Sequence, residues 1–406
     1  MMNHTTALKE LATKLLDDYK AGSSFFFASP YRTILAEGTF ATVKHSQAKN
    51  FSELVHAVLN NAKQAGHQNP IVVGALPFDR TKAVQLVVPH ESRVADRLQF
   101  DSTDRIQQSP VLTYEMNPIP APSEYMRGVE QGVAKIKGGD LKKIVLSRSL
   151  DLKSPEKVDI QKLLRDLAAH NKHGYTFAVD LPKSEEVEKS DAPLKRSRTL
   201  IGASPELLVS RSGMQVISNP LAGSRPRSED PVEDQRRADE LLSSAKDLHE
   251  HAVVVEAVAA ALRPYCRTLH VPEKPSLINS EAMWHLSTEV KGELLDASVS
   301  ALELALALHP TPAVCGTPME KAMEAIQEIE PFDRDFFTGM LGWSDLNGDG
   351  EWIVTIRCAE VEENSLRLFA GAGIVAESKP EDELAETSAK FRTMLRAMGL
   401  NDESLK

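Results

Sequence analysis

The stretch MLGWSDLNGDGEWIVTIRCAEVEENSLRLF, residues 340–369, decides the fold class. It reads as three strands, Met340 to Asp345, Glu351 to Val361 and Ser365 to Phe369, joined by Asn347-Gly348-Asp349-Gly350 and Glu362-Glu363-Asn364. Asn-Gly and Asp-Gly steps adopt the positive φ that tight hairpins need. Strands joined so closely run antiparallel, since a parallel pair needs a long crossover. Upstream, Leu200 to Arg211 and Met214 to Ser218 flank Ser212-Gly213 as a second hairpin. Trp284 to Val290 alternates, with Trp284, Leu286, Thr288 and Val290 on one face and His285, Ser287 and Glu289 on the other.

Helical patterns come in blocks between the strands. They cover Ser123 to Lys137, Ile160 to Ala169 and Val232 to Arg263. Thr317-Pro318-Met319-Glu320 reads as a capping box opening a helix to about Ile329, and Ser378-Lys379-Pro380-Glu381 as the cap of a last helix ending at Gly399. Further strands are expected at Lys143 to Arg148 and Tyr175 to Leu181. The first hundred residues offer a helix (Leu8, Leu11, Leu15, Tyr19) and apolar runs at Phe25–Phe27, Ile71–Val73 and Val84–Val88. The expected fold is α+β, one large domain of stacked, mainly antiparallel sheets flanked by helices.

The chain has 406 residues, 42% hydrophobic and 26% charged, with a net charge of −11. That composition is globular. Basic residues are dispersed, and only Lys195-Arg196-Ser197-Arg198 forms a cluster, so nucleic-acid binding is not expected. Three scattered cysteines without a CxxC pair give no support to a zinc ribbon or a disulfide framework. Met1 to Tyr19 lacks an unbroken apolar run and reads as an amphipathic helix rather than a signal peptide. Val253 to Leu262 is too short to span a bilayer. A cytoplasmic protein without membrane association is expected.

Three motif matches fail on physical grounds. Asp345 to Gly350 resembles the start of a calcium loop, but Ile356 stands where the bidentate carboxylate belongs, and strands flank it. Gly371-Ala372-Gly373-Ile374-Val375-Ala376 fits the dinucleotide fingerprint, yet about thirty residues remain after it, too few for that fold. Its small residues would still let backbone N–H groups approach an anion closely. His249 and His251 are two apart and point to opposite sides of a helix, so they cannot chelate one ion.

Two acidic pairs remain as candidates. Asp247 and Glu250 sit three apart on one helix, and Glu383 and Glu386 on another with Lys390 a turn later. Such stripes are commonly solvated faces. If the two helices approach, their all-oxygen set suits Mg²⁺. Lys143 opens an apolar strand. It reads either as an edge-blunting lysine or as a general base, which would need burial because an ordinary lysine is almost wholly protonated at neutral pH. Glu206 follows a strand-interrupting proline and reads as a turn carboxylate or a general acid. Arg357, inside a strongly β stretch, could fork onto a carboxylate.

Taken together these segments resemble the chorismate-utilising enzymes, the family of isochorismate, salicylate, anthranilate and aminodeoxychorismate synthases. The likeness is closest to isochorismate synthases of the siderophore (2,3-dihydroxybenzoate) type. It rests on Lys143-Ile-Val-Leu-Ser-Arg148, Gly202-Ala-Ser-Pro-Glu-Leu-Leu208, Asn219-Pro-Leu-Ala-Gly-Ser-Arg225 and Lys246-Asp-Leu-His-Glu-His251. It continues in His309-Pro-Thr-Pro-Ala-Val314, Gly350-Glu-Trp-Ile-Val-Thr-Ile-Arg357, Ala370-Gly-Ala-Gly-Ile-Val375 and Glu386-Thr-Ser-Ala-Lys390.

The resemblance implies the chorismate-binding fold and a Mg²⁺-dependent reaction on chorismate, in which water adds at C2 and the C4 hydroxyl leaves. It implies Lys143 as the base and Glu206 as the acid. Glu250 and Glu386 would be direct metal ligands, with Asp247 and Glu383 nearby through water. Gly223, Ser224, His285, Ala313, Arg357, Gly371 and Lys390 match substrate-contacting positions. It places a chorismate-binding catalytic region at 116–406, an N-terminal part of the sandwich at 1–115 and a charged surface insertion at 183–198. Lysine at 143, where ammonia-using relatives usually carry Gln, points to water as nucleophile. The alternative is a salicylate synthase; Phe337, Ile356 and Phe369 match apolar positions of the isochorismate branch. A non-catalytic binding protein of the same fold would usually have lost Lys143 or Glu206. A monomer with at most transient contact to an isochorismatase is expected.

Overall fold

The computed structural model describes residues 4–22, 24–43, 51–100, 113–181 and 198–400. The expected insertion at 183–198 lies outside them except for Arg198, which opens a strand. Two large sheets stack face to face. The ten-stranded sheet runs in spatial order Gly316–Thr317, Lys143–Lys153, Ser365–Ile374, Cys358–Glu362, Arg198–Ser204, Tyr175–Leu181, Ser24–Ala28, Arg32–Glu37 and Glu91–Asp96. Glu115–Ile119 also pairs with Lys143–Lys153. The nine-stranded sheet runs Cys266–His270, Val290–Leu294, Gln215–Asn219, Leu207–Ser212, Gly350–Val354, Met340–Asp345, Ile71–Leu76, Gln85–Val88 and Ala41–Val43. A three-stranded sheet joins Leu221–Pro226, Met283–Ser287 and Ser276–Asn279.

Adjacent strands pair antiparallel throughout, as hairpin connections require. Between the large sheets Phe27, Phe177 and Leu200 meet Val73, Leu341 and Ile353. Outside the ten-stranded sheet, Leu15, Leu163, Leu167, Phe391 and Met394 bury its other face under helices. Val55, Leu59, Val254, Val258, Leu302 and Ala305 do so for the nine-stranded sheet. Each interior strand is therefore covered on both faces, which explains apolar runs such as Phe25-Phe26-Phe27.

Three expected strands prove to be two each, and each break matters. Glu351 to Val361 divides into Gly350–Val354 in the nine-stranded sheet and Cys358–Glu362 in the ten-stranded one. Thr355-Ile356-Arg357 crosses between sheets, with Arg357 at φ +51°. Arg357 is therefore not inside a central strand. Leu200 to Arg211 likewise divides at Pro205-Glu206, where proline cannot donate to a ladder. Trp284 to Val290 breaks at Thr288-Glu289, leaving Met283–Ser287 and Val290–Leu294 in different sheets.

The helical region 232–263 is two helices, Pro231–Ser243 and Ala245–Leu262, with Ser244 Oγ accepting from the Asp247 N–H at the second N-terminus. Thr317–Glu320 is no capping box. Pro318 is the N-cap residue of Met319–Ile329 and makes no side-chain cap. Ser378 does not cap the last helix, Pro380–Ala397, either; its hydroxyl accepts from the Val375 N–H at 3.1 Å. Gly371-Ala372-Gly373 lies within strand Ser365–Ile374, with Gly371 opposite Ser147 and Gly373 opposite Val145.

Candidate active site

The crossovers converge on a single cavity between the two sheets and the helices that flank them. Glu206 enters from one crossover and Arg357 from another, His285 from strand Met283–Ser287, and Gly223-Ser224 from strand Leu221–Pro226. Glu250 comes from helix Ala245–Leu262, Glu386 and Lys390 from helix Pro380–Ala397, and Ala313 and Gly371 complete the expected set. Ten of the thirteen residues singled out in the sequence line one cavity.

Lys143, Asp247 and Glu383 are the other three, set behind its wall. Lys143 is fully buried, and its Nζ lies 3.0 Å from Glu250 Oε1 without a well-angled hydrogen bond. This disposes of the edge-blunting reading. Asp247 Oδ2 accepts from Arg225 Nη2 at 2.6 Å, and Glu383 Oε1 from Lys246 Nζ at 2.7 Å.

Burial pushes the Glu206 carboxyl up to about 7, although the Leu221 N–H and the charges of Lys143, Arg357 and Lys390 oppose the rise. Ser204 Oγ holds its backbone by accepting the Glu206 N–H at 3.2 Å while donating to the Val354 carbonyl at 2.7 Å. A buried carboxyl poised near neutrality can deliver a proton. Burial also lowers Arg357, to about 10, and its Nη2 donates to His285 Nε2 at 3.3 Å. Burial, then Arg357, pushes His285 well below the usual histidine range, so the imidazole is neutral. Arg357 Nε has no partner in the wall. This unsatisfied donor at a positive-φ residue leaves a planar cation free for a carboxylate.

On the last helix, burial would raise Glu386, but Lys390, Lys246 and the Ser224 hydroxyl together outweigh it and hold the carboxyl low. Lys390 Nζ sits 2.6 Å from Glu386 Oε1 and donates to the Gly371 carbonyl at 2.8 Å, while Ser224 Oγ donates to Glu386 Oε1 at 3.0 Å. Burial and the neighbouring Glu386 raise Glu383 to about 7. Like charges crowded out of water produce this shift.

The motif glycines make room for side chains rather than presenting an anion loop. A Cβ on Gly373 would stand 2.1 Å from Glu250 Oε1, and one on Gly371 2.6 Å from Ser147 Oγ. Gly223, at φ +77°, is backed by Asp247. His251 is buried, and its Nδ1–H donates to the Ala222 carbonyl at 3.2 Å while Nε2 accepts from Thr288 Oγ1 at 2.7 Å. Both ring nitrogens are taken, in keeping with its exclusion as a zinc ligand. The wall also includes Thr338 at φ +57° and Val314, which no sequence signal had marked as site residues. Phe337 and Phe369 stack at 4.9 Å beside Ile356 and form its apolar side.

The model of the chorismate binding enzyme family matches residues 81–399. The chain belongs to the chorismate-binding enzymes. It is 62% identical over 405 residues to isochorismate synthase DhbC of Bacillus subtilis, covering 99% of this chain and 100% of that one. It is 43% identical over 412 residues to the vibriobactin-specific isochorismate synthase of Vibrio cholerae, covering 99% and 98%. A crystal structure of the putative 2,3-dihydroxybenzoate-specific isochorismate synthase DhbC from Bacillus anthracis superposes with TM-score 0.90 at 75% identity, covering 96% and 100%. The menaquinone-specific MenF of Escherichia coli, at TM-score 0.76 and 22% identity over 97% and 99% of the two chains, shares the fold.

In this chorismate-binding enzyme the Gly373 contact gives a sharp test. Gly373→Ala must displace the Glu250 carboxylate or the strand beneath it. Its kcat is expected to fall at least about tenfold, since misplacing reacting groups by about 1 Å can cost a hundredfold. Steady-state kinetics on purified folded protein decide it, and an unchanged kcat would show that the Glu250 position is not critical.

Proposed function

We propose that the chain is an isochorismate synthase that adds water at C2 of chorismate with loss of the C4 hydroxyl, supplying isochorismate for 2,3-dihydroxybenzoate siderophore synthesis. The observation that carries this reading is a buried amine, Lys143, behind the same cavity wall that presents a protonatable acid, Glu206. Water is a poor nucleophile and hydroxide a poor leaving group, so the exchange needs a proton removed on one side and delivered on the other. The Lys143 amine takes the proton from water, and Glu206 protonates the departing hydroxyl. Arg357, Lys390 and the Gly223-Ser224 segment bind and orient the dianionic substrate, and the Phe337–Phe369 stack excludes water from the enolpyruvyl end.

The donor chemistry fits Mg²⁺, which takes one or two carboxylates and keeps water and substrate oxygens. Glu250 and Glu386 reach the cavity from two helices and would hold it directly; Asp247 and Glu383, tied to Arg225 and Lys246 and outside the cavity lining, would act through water. Among the described residues, no group of three or more His, Cys, Asp or Glu side chains is placed to hold one ion. When bound, the ion supplies positive charge that neutralises the substrate carboxylate.

We assign 116–406 as the catalytic region, since every lining residue falls within it. Residues 1–115 complete both sheets through strands such as Ser24–Ala28 and Ile71–Leu76. Among the described residues no helix is long and apolar enough to cross a membrane, and we take the enzyme as cytoplasmic. We also propose a monomer that meets an isochorismatase only transiently.

A salicylate synthase would go on to eliminate pyruvate. Phe337, Ile356 and Phe369 offer no polar group to orient the side chain for that step. Incubation with chorismate and Mg²⁺ is expected to yield a reversible chorismate–isochorismate mixture by chromatography, without pyruvate in a lactate dehydrogenase-coupled assay. Stoichiometric pyruvate and salicylate at the enzymatic rate would move the chain to the salicylate branch.

A further inference from the structure

The wall of the cavity is tied together by an ion pair that does not itself reach it. Glu330, just past helix Met319–Ile329, and Arg334, four residues further in the loop, are both buried. Their side chains join bidentately, Arg334 Nε donating to Glu330 Oε2 at 2.8 Å and Nη2 to Glu330 Oε1 at 2.5 Å. The remaining guanidinium donors go to the wall. Nη2 donates to the Val145 carbonyl at 2.8 Å, and Nη1 to the Val314 carbonyl at 2.7 Å and to Thr338 Oγ1 at 3.5 Å. Glu330 Oε1 accepts the Ser147 N–H at 2.7 Å. A guanidinium has five N–H donors, and here five hydrogen bonds absorb them. The guanidinium carbon lies 4.7 Å from the Phe78 ring centroid.

Val145, Val314 and Thr338 all line the cavity, yet they belong to three separate pieces of chain. Val145 is in the strand that Lys143 opens, Val314 follows Ala313 in the segment after helix Ala301–Leu308, and Thr338 sits in the positive-φ turn before Met340–Asp345. The first two are also joined by backbone: Gly316–Thr317 pairs with Lys143 and Ile144, Val145 N–H donates to the Cys315 carbonyl at 2.8 Å and Lys142 N–H to the Thr317 carbonyl at 2.7 Å. Among the described residues, Thr338 has no such ladder to the Lys143 strand. Desolvating two ions makes a buried pair a poor source of net stability, since apolar substitutes often do as well. A bidentate fork spending its other donors on three wall segments is instead suited to fixing their spacing.

We propose that Glu330 and Arg334 are positioning residues that set the distance between the Lys143 strand and the Val314 and Thr338 wall, acting on catalysis without touching substrate. Arg357 and Lys390 sit on elements to which this clamp makes no bond, so substrate binding should survive its loosening while proton transfer suffers. That split rests on the reading of Lys143 as base.

The test uses Glu330→Gln and Arg334→Lys. The amide keeps the size of Glu330 and can still accept from Ser147 N–H, and the lysine keeps the charge but not the fork. Each is expected to reduce kcat at least about tenfold per folded molecule, the scale of small misplacements, with KM for chorismate within about threefold of wild type. A merely structural pair would lower the thermal midpoint and leave kcat of the folded fraction unchanged, and that result overturns the proposal. Failure of both variants to fold overturns it too, because the pair would then be a folding requirement. Lys143→Ala is measured alongside. If it retains kcat while the clamp variants lose theirs, the base assignment fails and the clamp stands; the reverse pattern removes the clamp alone.

Discussion

Glu206→Gln is expected to slow turnover at least about a hundredfold, the ordinary worth of a positioned general acid. An amide fills the same space and can still accept the Leu221 N–H, so the fold should persist. What it lacks is the proton. The pH dependence follows from the sign of the shift. Burial raises Glu206 to about 7, so the acid form predominates below that pH and is lost above it. In the free enzyme kcat/KM should fall along a one-proton limb as pH rises through about 7. A bound dianion disfavours ionisation of Glu206 further, so the corresponding limb of kcat should lie at higher pH. Lys143→Ala should cost a similar factor from the other side of the reaction. Near wild-type kcat in either variant would remove that residue from the mechanism, and an unshifted limb in Glu206→Gln would assign the titration to another group.

How much of this was legible follows from what strands and helices write into a sequence. The hairpins at Asn347–Gly350 and Ser212-Gly213 were readable because turn residues are local signals, and they sufficed for antiparallel stacked sheets. The change of sheet at Thr355-Ile356-Arg357 was not readable. Both sheets are covered on two faces, so apolar residues continue through the crossover and the period of two carries no mark of it. Arg357 therefore read as an interior strand residue when its φ of +51° is what aims it. Pro205 did mark the equivalent break beside Glu206. Acidic spacing on the two helices singled out Glu250 and Glu386, which the structure brings to one cavity, but spacing alone favoured a solvated face and cannot reveal a partner element. The ties of Asp247 to Arg225 and of Glu383 to Lys246 emerged only from tertiary packing. Glu330 and Arg334 lay in a segment with no catalytic motif, in the loop after helix Met319–Ile329, and nothing in their spacing shows whether such a pair is solvated or buried.

Chelation of Mg²⁺ is expected to abolish turnover, and Glu250→Gln or Glu386→Gln to do the same with the fold intact. The electrostatics of the site give the reason. Glu250, Glu383 and Glu386 come together out of water, and each leans on a lysine: Lys143 at 3.0 Å, Lys246 at 2.7 Å and Lys390 at 2.6 Å. Glu383 remains pushed up to about 7 by burial and by Glu386, so crowding of negative charge persists despite the lysines. A dianionic substrate entering this cavity adds to it, and Arg357 with the lysines cannot satisfy every carboxylate at once. A dication on Glu250 and Glu386 restores the balance. Binding can be read apart from turnover, because an ion that binds only the folded state raises its melting temperature with concentration. Millimolar Mg²⁺ should therefore raise the thermal midpoint of the wild type and leave that of the Glu250→Gln/Glu386→Gln double variant unmoved. Turnover should return to the chelated wild type on adding Mg²⁺ in excess. Full activity after exhaustive chelation would show that the lysines and Arg357 alone neutralise the substrate, and the two carboxylates would then serve only to hold Lys143 and Lys390 in place.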